Sequence, residues 1–402
     1  MERSSRLGLQ VSELFVGWQV DLHSIPVDLL SYSISVHYAI WSAGNMPFAP
    51  TACTNLETYL NSNMVGQELA ISQIGQAICD HLTTPHEFSP TPLILSLHGP
   101  PGVGKSLFHK LAARALYDKD PWSSDLKCPG TDCPGYKVLY GMDYTASQRQ
   151  VQSEFIMKSL LEHVSVHKES FLVIEEYDKL DCHMRGFFRQ LLDGGQVGNG
   201  VTLGHSIVVL ESNLGYHSLY NVSKAYKSRN PSHLQAEEMQ RMLKDIVFER
   251  WRQQDCEEDS DTLKMVGLIR FFVPFFPLKK NNLEKLLDMK LHQRAHDLVT
   301  AGVGELTWDS GVVDFLVDRI DFEGEYAIEG GKEVATVLSR YVASPVRQWK
   351  KQVLLSRQDH QGHHRNDEVP AARLVVAKSK QRLEIKPKRA GIQVNKKHTQ
   401  EL

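Results

Sequence analysis

The stretch Gly99-Pro100-Pro101-Gly102-Val103-Gly104-Lys105-Ser106 matches the phosphate-binding pattern G-x-x-x-x-G-K-[ST] at every fixed position. Glycines let backbone N–H groups wrap a polyphosphate, the lysine reaches the β and γ phosphates, and the serine hydroxyl ligates Mg²⁺. The stretch therefore predicts a nucleotide and Mg²⁺ as ligands. The predicted contacts are Gly99, Pro100, Pro101, Gly102, Val103, Gly104, Lys105, Ser106 and the following residue, Leu107.

The sequence around this loop predicts the strand before it and the helix after it that such a loop requires. Residues 93–98 form a short apolar run, and apolar residues recur at helical spacing from Leu107 to Leu116. Downstream, strand and helix patterns alternate over residues 136–142, 151–167, 171–174, 184–192 and 206–210. This alternation predicts an α/β fold with a parallel sheet covered by helices on both faces.

Polar residues end two of the predicted strands, where ligands of parallel sheets bind. Glu175 is predicted to hold Mg²⁺ through water, and Glu176 to orient or deprotonate the attacking water. Asn213 is predicted to position that water or to contact the γ phosphate. The alternatives are a solvated helix start for the two glutamates and a simple turn at Asn213.

The amino-acid composition is ordinary and excludes few classes of protein. The chain has 402 residues, 42% of them hydrophobic and 23% charged, with a net charge of −3. This balance gives no electrostatic reason to expect a specific nucleic-acid partner, and no apolar run approaches the length of a membrane-spanning helix. Among the cysteines, Cys128 and Cys133 flank a turn-rich segment and can close a small disulfide, with free thiols as the equal alternative.

Further motifs extend the pattern beyond the nucleotide loop: Asn63–Ala70, Asp178-Lys179, Ser212-Asn213 and Phe272–Leu278. With them, the chain resembles the AAA+ ATPases over roughly residues 53–342, within them the Clp-type branch and especially the torsins. The resemblance implies a three-layer α/β/α core with a small C-terminal helical lid, and ATP as the nucleotide. It implies that Val65 and Gly66 lie beside the adenine and that Lys332, after two glycines, contacts the γ phosphate. The alternative for Lys332 is a surface lysine following a glycine turn.

The resemblance and the composition together predict four regions. An N-terminal extension with a poor targeting segment occupies 1–52, the large nucleotide-binding domain 53–278, the helical lid 279–350, and a basic flexible tail 351–402. The chain departs from the torsin pattern at three positions. Ser106 replaces an asparagine, Gly331 a cysteine, and Glu175 the usual aspartate.

The sequence lacks the arginine that related ATPases use to accelerate ATP hydrolysis. Clp-type unfoldases carry an arginine finger where this chain has Leu268, and torsins lack it too. In torsins, a membrane-anchored cofactor with a degenerate AAA+-like domain supplies the arginine, which is worth orders of magnitude in rate. Arg270 lies two residues away, and strand alternation would place it on the same face as Leu268. Residues 145–150 lack the aromatic pore-loop residue of unfoldases.

The resemblance therefore implies an ATPase that remodels proteins or membranes once a partner contributes an arginine, in the endoplasmic reticulum lumen or nuclear envelope. A homo-oligomer is a further expected assembly. The absence of a clean secretory signal favours a cytoplasmic location as the alternative. Two other functions stay open: a self-activating Clp-like chaperone, which needs Arg270 or another arginine between subunits, and an ATP-gated scaffold with little turnover.

Overall fold

A computed structural model describes residues 47–84, 91–130, 132–141, 149–193, 203–225, 233–359, 370–377 and 382–387. The proposed targeting segment up to Met46, residues 145–148 of the pore-loop segment and the last 15 residues lie outside these ranges.

The N-terminal part alternates helices and strands as far as the strand that ends at Pro274. Its helices are α1 (Ala52–Asn63), α2 (Glu68–Thr83), α3 (Lys105–Tyr117), α4 (Arg149–Val166), α5 (Cys182–Leu192), α6 (Tyr216–Ala225), α7 (His233–Arg252) and α8 (Asp259–Leu268). Its strands are β1 (Leu93–His98), β2 (Tyr136–Tyr140), β3 (Phe171–Glu175), β4 (Ile207–Ser212) and β5 (Phe271–Pro274).

These strands form one sheet in the order β2-β3-β4-β1-β5, and all neighbouring strands are parallel. Successive side chains of a strand point to opposite faces, so a strand that is buried along its length needs cover on both sides. All six residues of β1 and of β4 are buried. Helices α4, α5, α7 and α8 share a core with one face, while α2 and α3 contact strands from the other. The predicted α/β class is confirmed.

The C-terminal subdomain, meaning the described residues from Lys280 onward, has its own core. It contains α9 (Lys280–Thr300), β6 (Glu305–Trp308), α10 (Ser310–Val317), β7 (Phe322–Glu323), β8 (Tyr326–Ala327), α11 (Lys332–Tyr341), α12 (Ala343–Asp359), β9 (Ala371–Val376) and β10 (Leu383–Pro387). Leucines at four-residue spacing along α9, namely Leu283, Leu287 and Leu291, are fully buried in this core. This subdomain contains the helices expected for the lid and also a three-stranded sheet in the order β10-β9-β6, two strands of which lie beyond the predicted lid range of 279–350.

The prediction of a flexible tail over 351–402 is wrong for the described residues in that range. Helix α12 continues to Asp359, and β9 and β10 pair antiparallel. Ala372, Leu374 and Leu383 are buried and join the C-terminal core. Exposed basic residues, Arg373 in β9 and Lys386 in β10, make these short strands resemble a solvated segment.

The expected strand geometry around Leu268 is also wrong. Leu268 is the last residue of α8, and β5 begins at Phe271. The alternation argument that placed Leu268 and Arg270 on one strand face therefore does not apply. Among the described residues, no helix is both long enough and apolar enough to cross a bilayer.

Candidate functional site

The loop between β1 and α3 brings Lys105 and Asn213 together. Lys105 is buried, and its Nζ donates to the carbonyl oxygens of Gly99 at 2.8 Å and Pro100 at 3.0 Å. It also donates to Asn213 Oδ1 at 2.9 Å. Because β1 and β4 are adjacent and parallel, Asn213 follows β4 at the same sheet edge as the loop. The structure thus brings the loop lysine and the strand-end amide together.

Ser106 faces two carboxylates at this edge. Its Oγ donates to Glu211, with oxygen distances of 2.8 and 3.2 Å. The ring of His109, one turn along α3, places Nε2 3.0 Å from Glu175 Oε1 and 3.7 Å from Glu211 Oε2. Hydroxyl and carboxylate oxygens are the donors that Mg²⁺ prefers, so Ser106 and Glu175 fit the predicted ion.

Burial and neighbouring charges shift the pKa values of the side chains in this cluster. Burial lowers the pKa of Lys105 to about 8, against the opposing attraction of Glu211, and nearby Lys332 lowers it further. Burial raises the pKa of Glu211, whereas the hydrogen bond from His109 lowers that of Glu175. Buried ionisable groups whose pKa values are shifted by burial and by one another are typical of functional sites.

Glu176 has an unusual backbone for a residue with a side chain. It lies in the left-handed region at φ 56° and ψ 40°, a conformation that costs a non-glycine residue about 1–2 kcal/mol. Its carboxylate forms an ion pair with Lys179 at 2.9 Å. Glu176 lies one residue beyond the end of β3 and lines the same cavity as Ser106.

A cavity of about 710 Å³ is lined by residues of the phosphate loop and of the C-terminal subdomain. Gly331 N donates to Gly102 O at 2.8 Å, which docks the start of α11 on the loop and brings Lys332 to the cavity wall. Of the predicted residues, those lining the cavity are Val65, Pro101, Gly102, Val103, Gly104, Lys105, Ser106, Leu107, Glu175, Glu176, Asn213 and Lys332. Gly99 and Pro100 instead contribute the carbonyls that hold Lys105, and Gly66 packs near Asn282 and Leu278.

Gln67 fixes the segment predicted to contact the adenine. Its buried amide donates to Val103 O at 3.1 Å and Phe276 O at 2.9 Å, and accepts from Phe276 N at 2.9 Å. One side chain thereby joins the segment before α2, the phosphate loop and the end of β5. Val65 reaches the cavity because this anchor holds the chain beside it.

Sequence reasoning missed several residues that the structure brings to the site. The sequence patterns assign no role to Glu211, which ends a predicted strand, or to His109, which lies within the helix predicted after the loop. Lys290, Gln293, Arg294 and Asp297 of α9 also line the cavity. A polar stripe at helical spacing along one face of α9 was the available signal for these, whereas nothing local marks His109.

Arg270 is exposed. It lies at the N-terminal end of the parallel strands, whereas the phosphate loop lies at their C-terminal end. Its N–H donates to Ile94 O at 3.0 Å, near the start of β1, whereas the loop follows the end of that strand. Several residues of extended strand therefore separate Arg270 from its own phosphate site. Arg270 therefore lies away from the phosphate loop of its own chain.

Two disulfides are present in the part of the chain that the structure describes. Cys128–Cys133 closes the short turn predicted from the sequence, and Cys182–Cys256 joins α5 to the segment between α7 and α8. The second bond spans 74 residues and was not anticipated. Cys53 and Cys79 are free thiols.

A family profile described as Torsin matches residues 44–128. The chain is 25% identical to a torsin-like protein of Caenorhabditis elegans over 250 residues, which are 61% of this chain and 66% of that protein. A torsin-like protein of Drosophila melanogaster is 23% identical over 248 residues, 60% of this chain and 68% of the relative. The chaperone protein ClpB of Prochlorococcus marinus is 21% identical over 318 residues, and the match covers 78% of this chain but 33% of ClpB. The chain thus spans a third of ClpB and about two thirds of the torsin-like relatives.

Proposed function

Since this chain is a torsin-like protein of the AAA+ ATPase family, we propose that it binds Mg-ATP in the 710 Å³ cavity and hydrolyses it. One observation carries the proposal. Lys105 and Asn213 from the core and Lys332 from the C-terminal subdomain line a single cavity, together with Glu176. Groups that bind phosphate and a carboxylate that can accept a proton therefore converge from both parts of the chain.

Each group has a distinct role in the proposed reaction. Lys105 leaves the carbonyls of Gly99 and Pro100 for the β and γ phosphates, and Lys332 and Asn213 hold the γ phosphate. Glu176 orients the attacking water and accepts its proton, which requires its carboxylate to leave Lys179. When bound, Mg²⁺ neutralises charge on the phosphates, and Ser106 and Glu175 would hold it.

The proposed activity depends on an arginine donated in trans. Arg270 and the phosphate loop lie at opposite ends of the parallel strands, so the chain cannot complete its own site with this residue. An AAA+-like cofactor, membrane-anchored as in torsins, is the proposed donor, and remodelling of proteins or membranes is the proposed output. A second copy of the chain is the alternative donor, because Arg270 is exposed.

The endoplasmic reticulum lumen or the nuclear envelope is the proposed location. Two disulfides support it, because such bonds persist in oxidising compartments and are rare in the cytosol. The sequon Asn221-Val222-Ser223 lies on α6, with Asn221 exposed and open to glycosylation in that pathway.

Steady-state ATP hydrolysis by the full chain over a concentration series, beside Glu176→Gln, tests the proposal. We expect ATP binding with slow turnover at every concentration and slower turnover still in Glu176→Gln. Activity that rises cooperatively with concentration and disappears in the variant would instead support the self-activating chaperone. Activity equal in the two proteins would contradict the role of Glu176.

An experiment that measures how long the protein retains its partners distinguishes the remodelling ATPase from the scaffold. Glu176→Gln should hold ATP and accumulate ATP-dependent complexes with an arginine-donating partner, because hydrolysis no longer releases them. Glu162→Gln, an exposed glutamate on α4, is the matched control and should behave as wild type. Complexes that are equally abundant in wild type and both variants would favour the scaffold.

A further inference from the structure

The two cysteines that the disulfides leave free face each other between α1 and α2. Cys53 lies in the first turn of α1, Cys79 lies towards the end of α2, and both are half-buried. A hydrogen bond joins their side chains. Within the described ranges, neither thiol belongs to a group of three or more side chains placed to hold a metal ion. The pair therefore stands as a dithiol.

The packing of the two helices independently brings these positions together. The helices contact each other and are joined by residues 64–67, so they form an antiparallel hairpin. A Cβ on Gly75 of α2 would lie 3.6 Å from the Cβ of Glu57 on α1. Cys79 follows Gly75 by one helical turn, and Cys53 precedes Glu57 by one turn, so the two cysteines are the next pair along the hairpin. Disulfides join residues whose Cβ atoms are about 3.5–4.5 Å apart, a separation that this hairpin provides.

We propose that Cys53 and Cys79 are a redox-active dithiol, which a small disulfide such as oxidised glutathione converts to a cross-link between α1 and α2. The cross-link would close the hairpin whose connection carries Met64 and Val65 to the cavity wall, and so stabilise that wall. The inference goes beyond the proposed ATPase, because it assigns a covalent modification to two side chains that do not line the nucleotide cavity.

The two sulfurs have different roles in the exchange. Burial, the hydrogen bond and charge of Cys53, and the nearby carboxylates of Asp80 and Glu57 raise the pKa of Cys79 to about 12. A thiolate is the nucleophile in disulfide exchange, so the first attack falls to Cys53. Cys53 gives its proton to water and bonds to one glutathione sulfur, while the other glutathione leaves as a thiolate and takes up a proton.

Cys79 completes the cross-link. Once Cys53 is bonded to glutathione, its sulfur carries no charge, which removes one cause of the raised pKa of Cys79. The Cys79 sulfur then attacks the sulfur of Cys53, the mixed disulfide breaks, and the proton of Cys79 passes to the departing glutathione thiolate. In total, two cysteine thiols are oxidised to one disulfide, and one oxidised glutathione is reduced to two thiols.

The test incubates the full chain near neutral pH with stepped ratios of oxidised to reduced glutathione, alkylates the remaining thiols and maps peptides without reductant. The protease Glu-C cleaves after Glu57 and Glu68, which lie between the two cysteines, so the cross-link appears as two joined peptides. We expect this cross-link to replace both free thiols as the ratio rises. Alkylation of both thiols at every ratio, or glutathione retained on the wild type without a cross-link, would overturn the inference.

Single substitutions test the order of attack. Cys79→Ser should retain one glutathione on Cys53, because no second thiol displaces it, whereas Cys53→Ser should take up glutathione at least tenfold more slowly. Equal uptake rates in the two variants would overturn the assigned roles.

Thermal melting tests the stabilisation. Oxidation should raise the melting temperature of the wild type by several degrees, because the cross-link restricts the unfolded chain. The double variant Cys53→Ser with Cys79→Ser keeps the other four cysteines and should show no such rise. An unchanged melting temperature in the fully cross-linked wild type would overturn the stabilising role. None of these readouts uses ATP, so failure of the dithiol and failure of the proposed ATPase are distinguishable.

Discussion

At the scale of single residues, Gln67 shows how one buried amide positions a binding segment. It satisfies a carbonyl of the phosphate loop and both backbone groups of Phe276. Removing a buried partner costs about 1–3 kcal/mol, because the groups left behind lose their hydrogen bonds without regaining water. Gln67 therefore stabilises the fold and the cavity wall together.

Gln67→Ala should lower the free energy of unfolding by roughly 1–3 kcal/mol and weaken ATP binding several-fold. Chemical denaturation and ATP titration measure the two effects. Gln73→Ala on α2 is the control, because the buried Oε1 of Gln73 has no hydrogen-bond partner within the described part of the chain. Equal losses in the two variants would contradict the anchoring role of Gln67.

A second residue-scale prediction concerns acid stability. Burial lowers the pKa of His163 to about 4, reinforced by His167 and Lys137 and opposed by a hydrogen bond with Gly135 O. The unfolded histidine, with an ordinary value of 6.5, binds protons more readily, so stability is lost as pH falls from about 6.5 towards 4. The shift corresponds to roughly 3 kcal/mol.

His163→Gln should lose less stability than wild type between pH 7 and 4. The melting temperature of both proteins across this range is the measurement. Parallel pH profiles would show that His163 is protonated in the folded state as easily as in the unfolded chain, against the expectation.

At the scale of elements, the contact between the phosphate loop and α11 couples the two parts of the chain. Gly330 has φ 58°, and a Cβ there would lie 2.7 Å from Gly102 O. Gly324, in the turn between β7 and β8, has φ 64° with nothing within 4 Å of a Cβ. The two glycines share a left-handed backbone conformation, which strains any residue with a Cβ, but they differ in this contact.

Gly330→Ala should therefore destabilise more than Gly324→Ala, which costs about 1–2 kcal/mol from its backbone alone. Only Gly330→Ala should also weaken ATP binding, because it pushes Lys332 away from the loop. Thermal melts and ATP titrations of both variants test this. Equal effects of the two substitutions on ATP binding would contradict the docking of α11 through this contact.

Sequence patterns predicted these elements unevenly. Strands β1, β3 and β4 are continuous apolar runs, a signal that depends only on burial, and the structure contains them. Strands β9 and β10 were missed because a short strand with one exposed face and many basic residues resembles a solvated tail. In the site, the phosphate loop is encoded within eight consecutive residues, whereas His109 and Glu211 meet only through the pairing of distant strands and a helix, which no local pattern records.

At the scale of the whole molecule, Cys182–Cys256 closes a loop of 74 residues across the core, whereas Cys128–Cys133 closes a loop of five. In the chain-entropy description, the stabilisation grows with loop length, to about 4 kcal/mol for the longer loop and about 2 kcal/mol for the shorter. The longer bond should therefore dominate the effect of reduction.

Replacing Cys182 and Cys256 together by alanine should lower the melting temperature more than replacing Cys128 and Cys133. Peptide mapping without reductant, on protein from an oxidising compartment, should find both bonds. Thiols free at all four positions would contradict the disulfides and remove their support for a lumenal location.

The most direct test of the whole arrangement is equilibrium binding of ATP, with Mg²⁺, to the full chain and to Lys105→Ala. The wild type should bind one ATP per chain, and the variant should lose at least tenfold in affinity, because Lys105 is the buried cation at the phosphate loop. Absence of ATP binding by the wild type, or equal affinity in the variant, would contradict a nucleotide site between the core and the C-terminal subdomain.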